Sequence, residues 1–76
     1  MPHIIVKMFP GRTRQEKADL AQALAQSMMA ALGTPEGAIS VAIEDVEKRD
    51  WMDKVAKPEI AGKAETIFKK PGYEIP

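Results

Sequence analysis

Residues 3–16 read His-Ile-Ile-Val-Lys-Met-Phe-Pro-Gly-Arg-Thr-Arg-Gln-Glu. The first seven are rich in β-branched and aromatic types, and Ile4, Val6 and Met8 alternate with His3, Ile5, Lys7 and Phe9, the period of a strand with at least one buried face. Pro10-Gly11 stops the strand. Thr13-Arg14-Gln15-Glu16 has the spacing of a capping box, in which the Thr hydroxyl accepts from the amide three residues on while the Glu carboxylate reaches back to the Thr amide. A strand running straight into a capped helix sets the fold class.

From Arg14 to Leu32, Leu20, Leu24, Met28 and Leu32 recur every four residues, and Ala21, Ala25 and Ala31 widen the stripe with side chains small enough to lie close against a sheet. Gly33 suits the left-handed position after a helix end, and Pro35 forbids continuation. Residues 33–37 form a loop. Ile39, Val41 and Ile43 then alternate with Ser40, Ala42 and Glu44, which predicts a half-buried strand to about Val46. Asp50 is a candidate cap for a short turn holding Trp51. Ile60, Ala61, Ala64, Ile67 and Phe68 make a helical stripe in a segment that Pro58 can open and Pro71-Gly72 closes, with Gly62 weakening it. The reading is an α/β (α+β) single domain over residues 1–76: a β-α-β unit whose strands are parallel, followed by a C-terminal helix.

Two strands alone do not make a stable sheet in water. Seventy-six residues also bury too little surface for a robust core, and such chains usually carry a staple. With no Cys there is no disulfide and no thiolate zinc site, and His3 is the only imidazole. Association with a second copy, giving a four-stranded sheet in a homodimer, answers both shortages. Eleven basic and eleven acidic residues cancel, which argues against nucleic acid as a partner. No apolar run of 18 or more residues or signal-peptide pattern is present, so no membrane partner and a cytoplasmic location are expected.

The familiar catalytic constellations are missing: no thiol, no Gly-x-Ser-x-Gly elbow and no phosphate-binding Gly-rich loop. What remains is the start of the chain. Initiator Met is usually trimmed before a small residue, which would make Pro2 a free secondary amine at the head of a strand. An α-amino group titrates near about 7.7–8.0, and desolvation or a nearby cation lowers that toward the range of a useful general base. Taken alone, Pro at position two also fits simple removal of Met.

Met1-Pro2-His3-Ile4, the apolar strand, Gly11-Arg12-Thr13 with the Gln15-x-Lys17 helix, the Ile39-Ser40-Val41 strand and Trp51 together resemble the 4-oxalocrotonate tautomerase family over about the first 51 residues. The longer C-terminus, with Lys69-Lys70-Pro71-Gly72-Tyr73, is similar to its phenylenolpyruvate tautomerase branch, whose members resemble dimers more than hexamers. The resemblance implies a cofactor-free, metal-free proton shift on a small enol or keto acid. Pro2 would be the catalytic acid/base, Arg12 the grip on the substrate carboxylate, and Trp51 an apolar wall.

The sequence departs from the family at Ser40, where tautomerases acting on dicarboxylates carry a second arginine. A hydroxyl donates a hydrogen bond without bringing charge. A substrate with one carboxylate and an apolar or aromatic tail therefore suits the chain better, with Ser40 as a neutral substrate-binding group. Other readings of the same residues stand beside this one. Arg12 can be a solvated residue after a turn, Trp51 a core or interface anchor, and His3 a packing or hydrogen-bonding group. Lys69 and Lys70 need only the dipole at a helix C-terminus. Two further functions share the scaffold: a non-catalytic oligomeric module, and hydration, dehalogenation or decarboxylation of a small acid.

Overall fold

The computed structural model describes residues 1–76 and divides into two compact units, Met1–Asp45 and Val46–Pro76. The first unit is strand β1 (His3–Met8), helix α1 (Arg14–Leu32) and strand β2 (Ser40–Asp45), with a short 3-10 turn at Glu36–Ala38 before β2. The two strands pair in parallel from His3 opposite Ser40 to Met8 opposite Asp45, as a helical crossover between them requires.

Helix α1 begins and ends where its residues dictate. Thr13 is extended and its hydroxyl accepts from the Glu16 N–H at 3.0 Å, while the Thr13 N–H donates to Glu16 Oε1 at 2.9 Å. A cap of this kind stabilises a helix by about 1 kcal/mol. At the other end Gly33 turns left-handed, with φ 71°, and its N–H donates to the Met29 carbonyl at 2.9 Å. Side chains other than Gly strain in that conformation.

The helix lies over one face of the sheet. Ala18 and Ala21 of α1 line an open groove with Val41 and Ile43 of β2, and Lys17 Nζ reaches Asp45 Oδ2 at 2.9 Å. Register and the two-residue alternation put Ile4 and Val6 on that same face, and Ile5 on the other, where it is 53% exposed. No residue of α1 is fully buried. In the whole chain only Val55 and Ala56 are.

The second unit departs from the expected C-terminal helix. The helix, α2, spans Met52–Ala61, about eight residues earlier than the apolar stripe suggested, and Pro58 lies inside it instead of opening it. It is wound wide, as a π-helix. A Pro ring in an ordinary α-helix collides with the carbonyl four residues back and lacks a donor; the wider winding relieves that collision. The short turn expected around Trp51 is a 3-10 turn at Lys48–Asp50 directly before it, with Asp50 as its last residue instead of its N-cap, and Asp50 accepts from Lys54 Nζ at 3.5 Å. Beyond α2 the stripe residues do not share a helix. Residues Ala64–Thr66 form one 3-10 turn, in which both the N–H and the hydroxyl of Thr66 donate to the Lys63 carbonyl. Such local side-chain bonding competes with helix continuation. Phe68, at the end of the supposed stripe, is 98% exposed.

Gly62, which on sequence alone weakened the helix, is what lets it close. Its N–H donates to the Lys57 carbonyl at 2.8 Å, and a Cβ there would lie 2.6 Å from the Pro58 carbonyl oxygen. Gly62→Ala should therefore lower unfolding free energy by about 1–3 kcal/mol. Gly37→Ala, where a Cβ meets nothing within 4 Å and φ is not positive, should be neutral or slightly stabilising. Urea unfolding of the two variants side by side checks the contrast.

Candidate active site

At the N-terminal end of the sheet three expected or neighbouring groups converge. The Ser40 N–H donates to the Pro2 carbonyl at 3.2 Å, which extends the ladder one residue past β1 and fixes the backbone of Pro2. Beside it Ser40 Oγ lies 2.6 Å from His3 Nδ1, the two residues facing each other as the first pair of the register. Pro2 is half-buried, while Met1 ahead of it stands fully in solvent.

Arg12 sits at the other end. The step from Pro2 to Met8 covers about 20 Å at a strand rise of about 3.3 Å per residue, and Arg12 follows the turn beyond it. The Lys17–Asp45 ion pair ties the start of α1 to that same far edge of the sheet. There Arg12 Nη1 donates to Glu16 Oε2 at 3.3 Å, both side chains well exposed. Arg12, Glu16, Lys17 and Leu20 line an open depression of about 280 Å³.

Glu16 divides its two oxygens between tasks. Oε1 accepts from the Thr13 backbone N–H and Oε2 from Arg12. The Thr13 N–H, above all, holds the carboxyl below its ordinary range; desolvation opposes this and the Arg12 guanidinium adds to it.

Trp51 belongs to the second unit, where it is half-buried and its Nε1 donates to the Tyr73 hydroxyl at 3.0 Å. Of the four residues read from sequence, Pro2 and Ser40 are thus brought together, Arg12 stands at the opposite end of the first unit, and Trp51 is anchored to Tyr73. His3, read from sequence as a packing or hydrogen-bonding group, lies within hydrogen-bond distance of Ser40, a partner that only the strand register reveals. The pairing of Lys17 with Asp45, made between helix and strand, was not legible in the sequence. No group of three or more His, Asp or Glu side chains is gathered to hold a metal ion, and no helix is long and apolar enough to cross a membrane.

Comparison with known proteins gives a consistent result. The model of the tautomerase enzyme family matches residues 2–55. A "probable tautomerase" of Xylella fastidiosa is 49% identical over 73 residues, covering 96% of this chain and 89% of that protein. Tautomerase PptA of Cronobacter sakazakii is 38% identical and is covered in full, over 99% of this chain. Among solved structures, TomN, a 4-oxalocrotonate tautomerase homologue of the tomaymycin biosynthetic pathway, superposes with a TM-score of 0.63 at 38% identity, over 66% of this chain and 77% of its own. A heterohexamer 4-oxalocrotonate tautomerase from Chloroflexus aurantiacus gives 0.64 at 31% identity, over 67% and 82%. The solved relatives thus leave about a third of this chain unmatched, whereas PptA spans nearly all of it.

The titration of Glu16 carries a testable sign. Its folded pKa is depressed, so the stabilisation from its charged form is complete above the ordinary carboxylate range and is lost as pH falls through the folded value. Glu16→Gln keeps a capping side chain and removes the titration. The urea midpoint of the variant should fall less steeply than that of the unaltered protein between about pH 5 and pH 3, within the window where such carboxylates titrate.

Proposed function

Because the chain belongs to the tautomerase enzyme family, we propose that it interconverts the enol and keto forms of a small acid, with Pro2, freed by removal of Met1, as the general acid/base. In the forward step the Pro2 amine takes the proton from the enol oxygen of a 2-hydroxydienoate or aryl enolpyruvate. The electron pair moves through the conjugated system, and the ammonium formed at Pro2 returns a proton to carbon, giving the 2-keto acid. No cofactor enters that balance.

One observation carries this reading: Pro2 is clamped by its own carbonyl to the Ser40 N–H while Met1 projects fully into solvent. An exposed Met is open to an aminopeptidase. The residue uncovered is already held in place, so little freedom is lost when substrate binds. That the relatives are named tautomerases favours an enzyme over a non-catalytic module.

Arg12 supplies the carboxylate grip, and a second copy of the chain brings it. About 20 Å of strand separates Pro2 from Arg12 within one chain, far more than a small enol acid spans. Release of Arg12 from Glu16 costs little, since both side chains are well exposed and water screens such a pair. A guanidinium can then bind both oxygens of a carboxylate. The same association would complete the two-stranded sheet and cover Ile5, which is 53% exposed. Ser40, in place of a second cation, favours a substrate with one carboxylate and an apolar or aromatic tail.

Phenylenolpyruvate, followed spectroscopically as it ketonises, is the substrate to assay. Intact mass should show loss of Met1, and Pro2→Ala, which keeps a primary α-amine but loses the ring that positions it, should lower kcat by roughly 100-fold, in keeping with a misplaced base. Arg12→Ala should mainly raise KM. A retained Met1 together with activity would overturn the assignment of Pro2. Co-refolding Pro2→Ala with Arg12→Ala, assayed at substrate far below the raised KM of the latter so that each variant alone is slow, tests the shared site: statistical mixing puts half the dimers in the mixed form, each with one intact site of two, so about a quarter of full activity returns in a two-fold dimer. No recovery means each site lies within one chain.

A further inference from the structure

His3 is the second ring at the head of the sheet, and the established family activity gives it no task. Its Nδ1 stands 2.6 Å from Ser40 Oγ, and the backbone of Ser40 holds Pro2. A hydroxyl has one proton to give. If the ring accepts that proton, Ser40 faces the site as a bare acceptor and would repel a developing oxyanion. If the ring donates instead, the Ser40 proton is free to point at substrate.

We infer that His3 is a positioning residue: its Nδ1–H donates to Ser40 Oγ, and so turns the Ser40 hydroxyl into the hydrogen-bond donor for the oxygen that gains negative charge during ketonisation. The inference rests on the assignment of Pro2 as base. The geometry supports it at three points. The parallel register sets His3 directly opposite Ser40, so the sheet places the ring and the hydroxyl side by side. The two backbones are tied through Pro2, so the orienting ring, the hydroxyl and the base share one end of one sheet. A neutral donor at the position of a charged one depends on orientation more than a cation does, because a hydroxyl can turn away. His3 keeps its proton throughout; the proton in transit moves only between Pro2 and substrate.

Since His3 is the only His, its ring nitrogens give an uncrowded signal in uniformly ¹⁵N-labelled protein. A protonated Nδ1 at neutral pH is expected, and an unprotonated Nδ1 overturns the inference without reference to any substrate. Kinetics on phenylenolpyruvate supply the second arm. Ser40→Ala should lower kcat by roughly 10- to 100-fold, at or below what one lost oxyanion donor costs, with KM little changed. His3→Ala should lower kcat by about tenfold, and the double variant should be no slower than Ser40→Ala alone, as coupled residues behave. His3→Asn, whose amide N–H can occupy the place of Nδ1–H, should recover most of the rate. Full activity in His3→Ala, or losses that multiply in the double variant, would sink the proposal. Intact mass measured alongside separates the two readings: activity with Met1 retained refutes the base, whereas a trimmed enzyme with a slow Pro2→Ala and a fast His3→Ala refutes only the positioning role.

Discussion

The parallel pairing of β1 with β2 is the constraint from which the rest of the first unit follows. A parallel pair cannot be joined by a hairpin, so the chain must leave the end of β1, cross the sheet and return to start β2 at the edge where β1 began. That return path is α1. The register then decides the neighbours. His3 opposite Ser40 brings Pro2 and the Ser40 amide into one hydrogen bond, and Met8 opposite Asp45 sets the carboxylate that Lys17 meets from the helix. A slip of one residue would turn Ile4 and Val6 to the other face and separate the His3 ring from the Ser40 hydroxyl.

The same pairing leaves the molecule short of interior. A single helix on a two-stranded sheet can half-cover Ile4, Val6, Val41 and Ile43 and fully bury none of them. Only Val55 and Ala56 are fully shielded. The physical case for association is thus visible in exposure as well as in chain length, since Ile5, Phe9 and Leu32 keep much of their surface in water.

How much could be read from the amino acids differs between the units for a physical reason. Helix α1 was legible to the residue because its ends carry local chemistry, the Thr13–Glu16 box and Gly33, that acts within one turn. The strands were legible from alternation to within a residue or so. Helix α2 was not, because periodicity assumes 3.6 residues per turn and the chain around Pro58 is wound wider. Ile60 and Ala61 fit a helical stripe, yet the helix is already ending there. Within the candidate site, the N-terminal Pro2 and the departure at Ser40 could be found by type and position. The His3–Ser40 bond could not, because a residue's own alternation says which face it takes but not which residue of another strand it meets. Nor could the distance between Pro2 and Arg12 be seen until the strand between them was laid out straight.

Glu16 shows how such a small chain separates rigidity from mobility. One carboxylate oxygen is committed to the cap that starts α1, and the other to a guanidinium that stands largely in water. Arg12 can therefore swing toward any incoming anion while the helix keeps its fastening. The loosened ion pair leaves no orphaned charge behind, because solvent reaches the vacated oxygen at once. An Asp at the same place, one methylene shorter, would have to choose between the two partners. The second methylene of the glutamate stem is thus what lets a moving part be mounted directly on a fixed one.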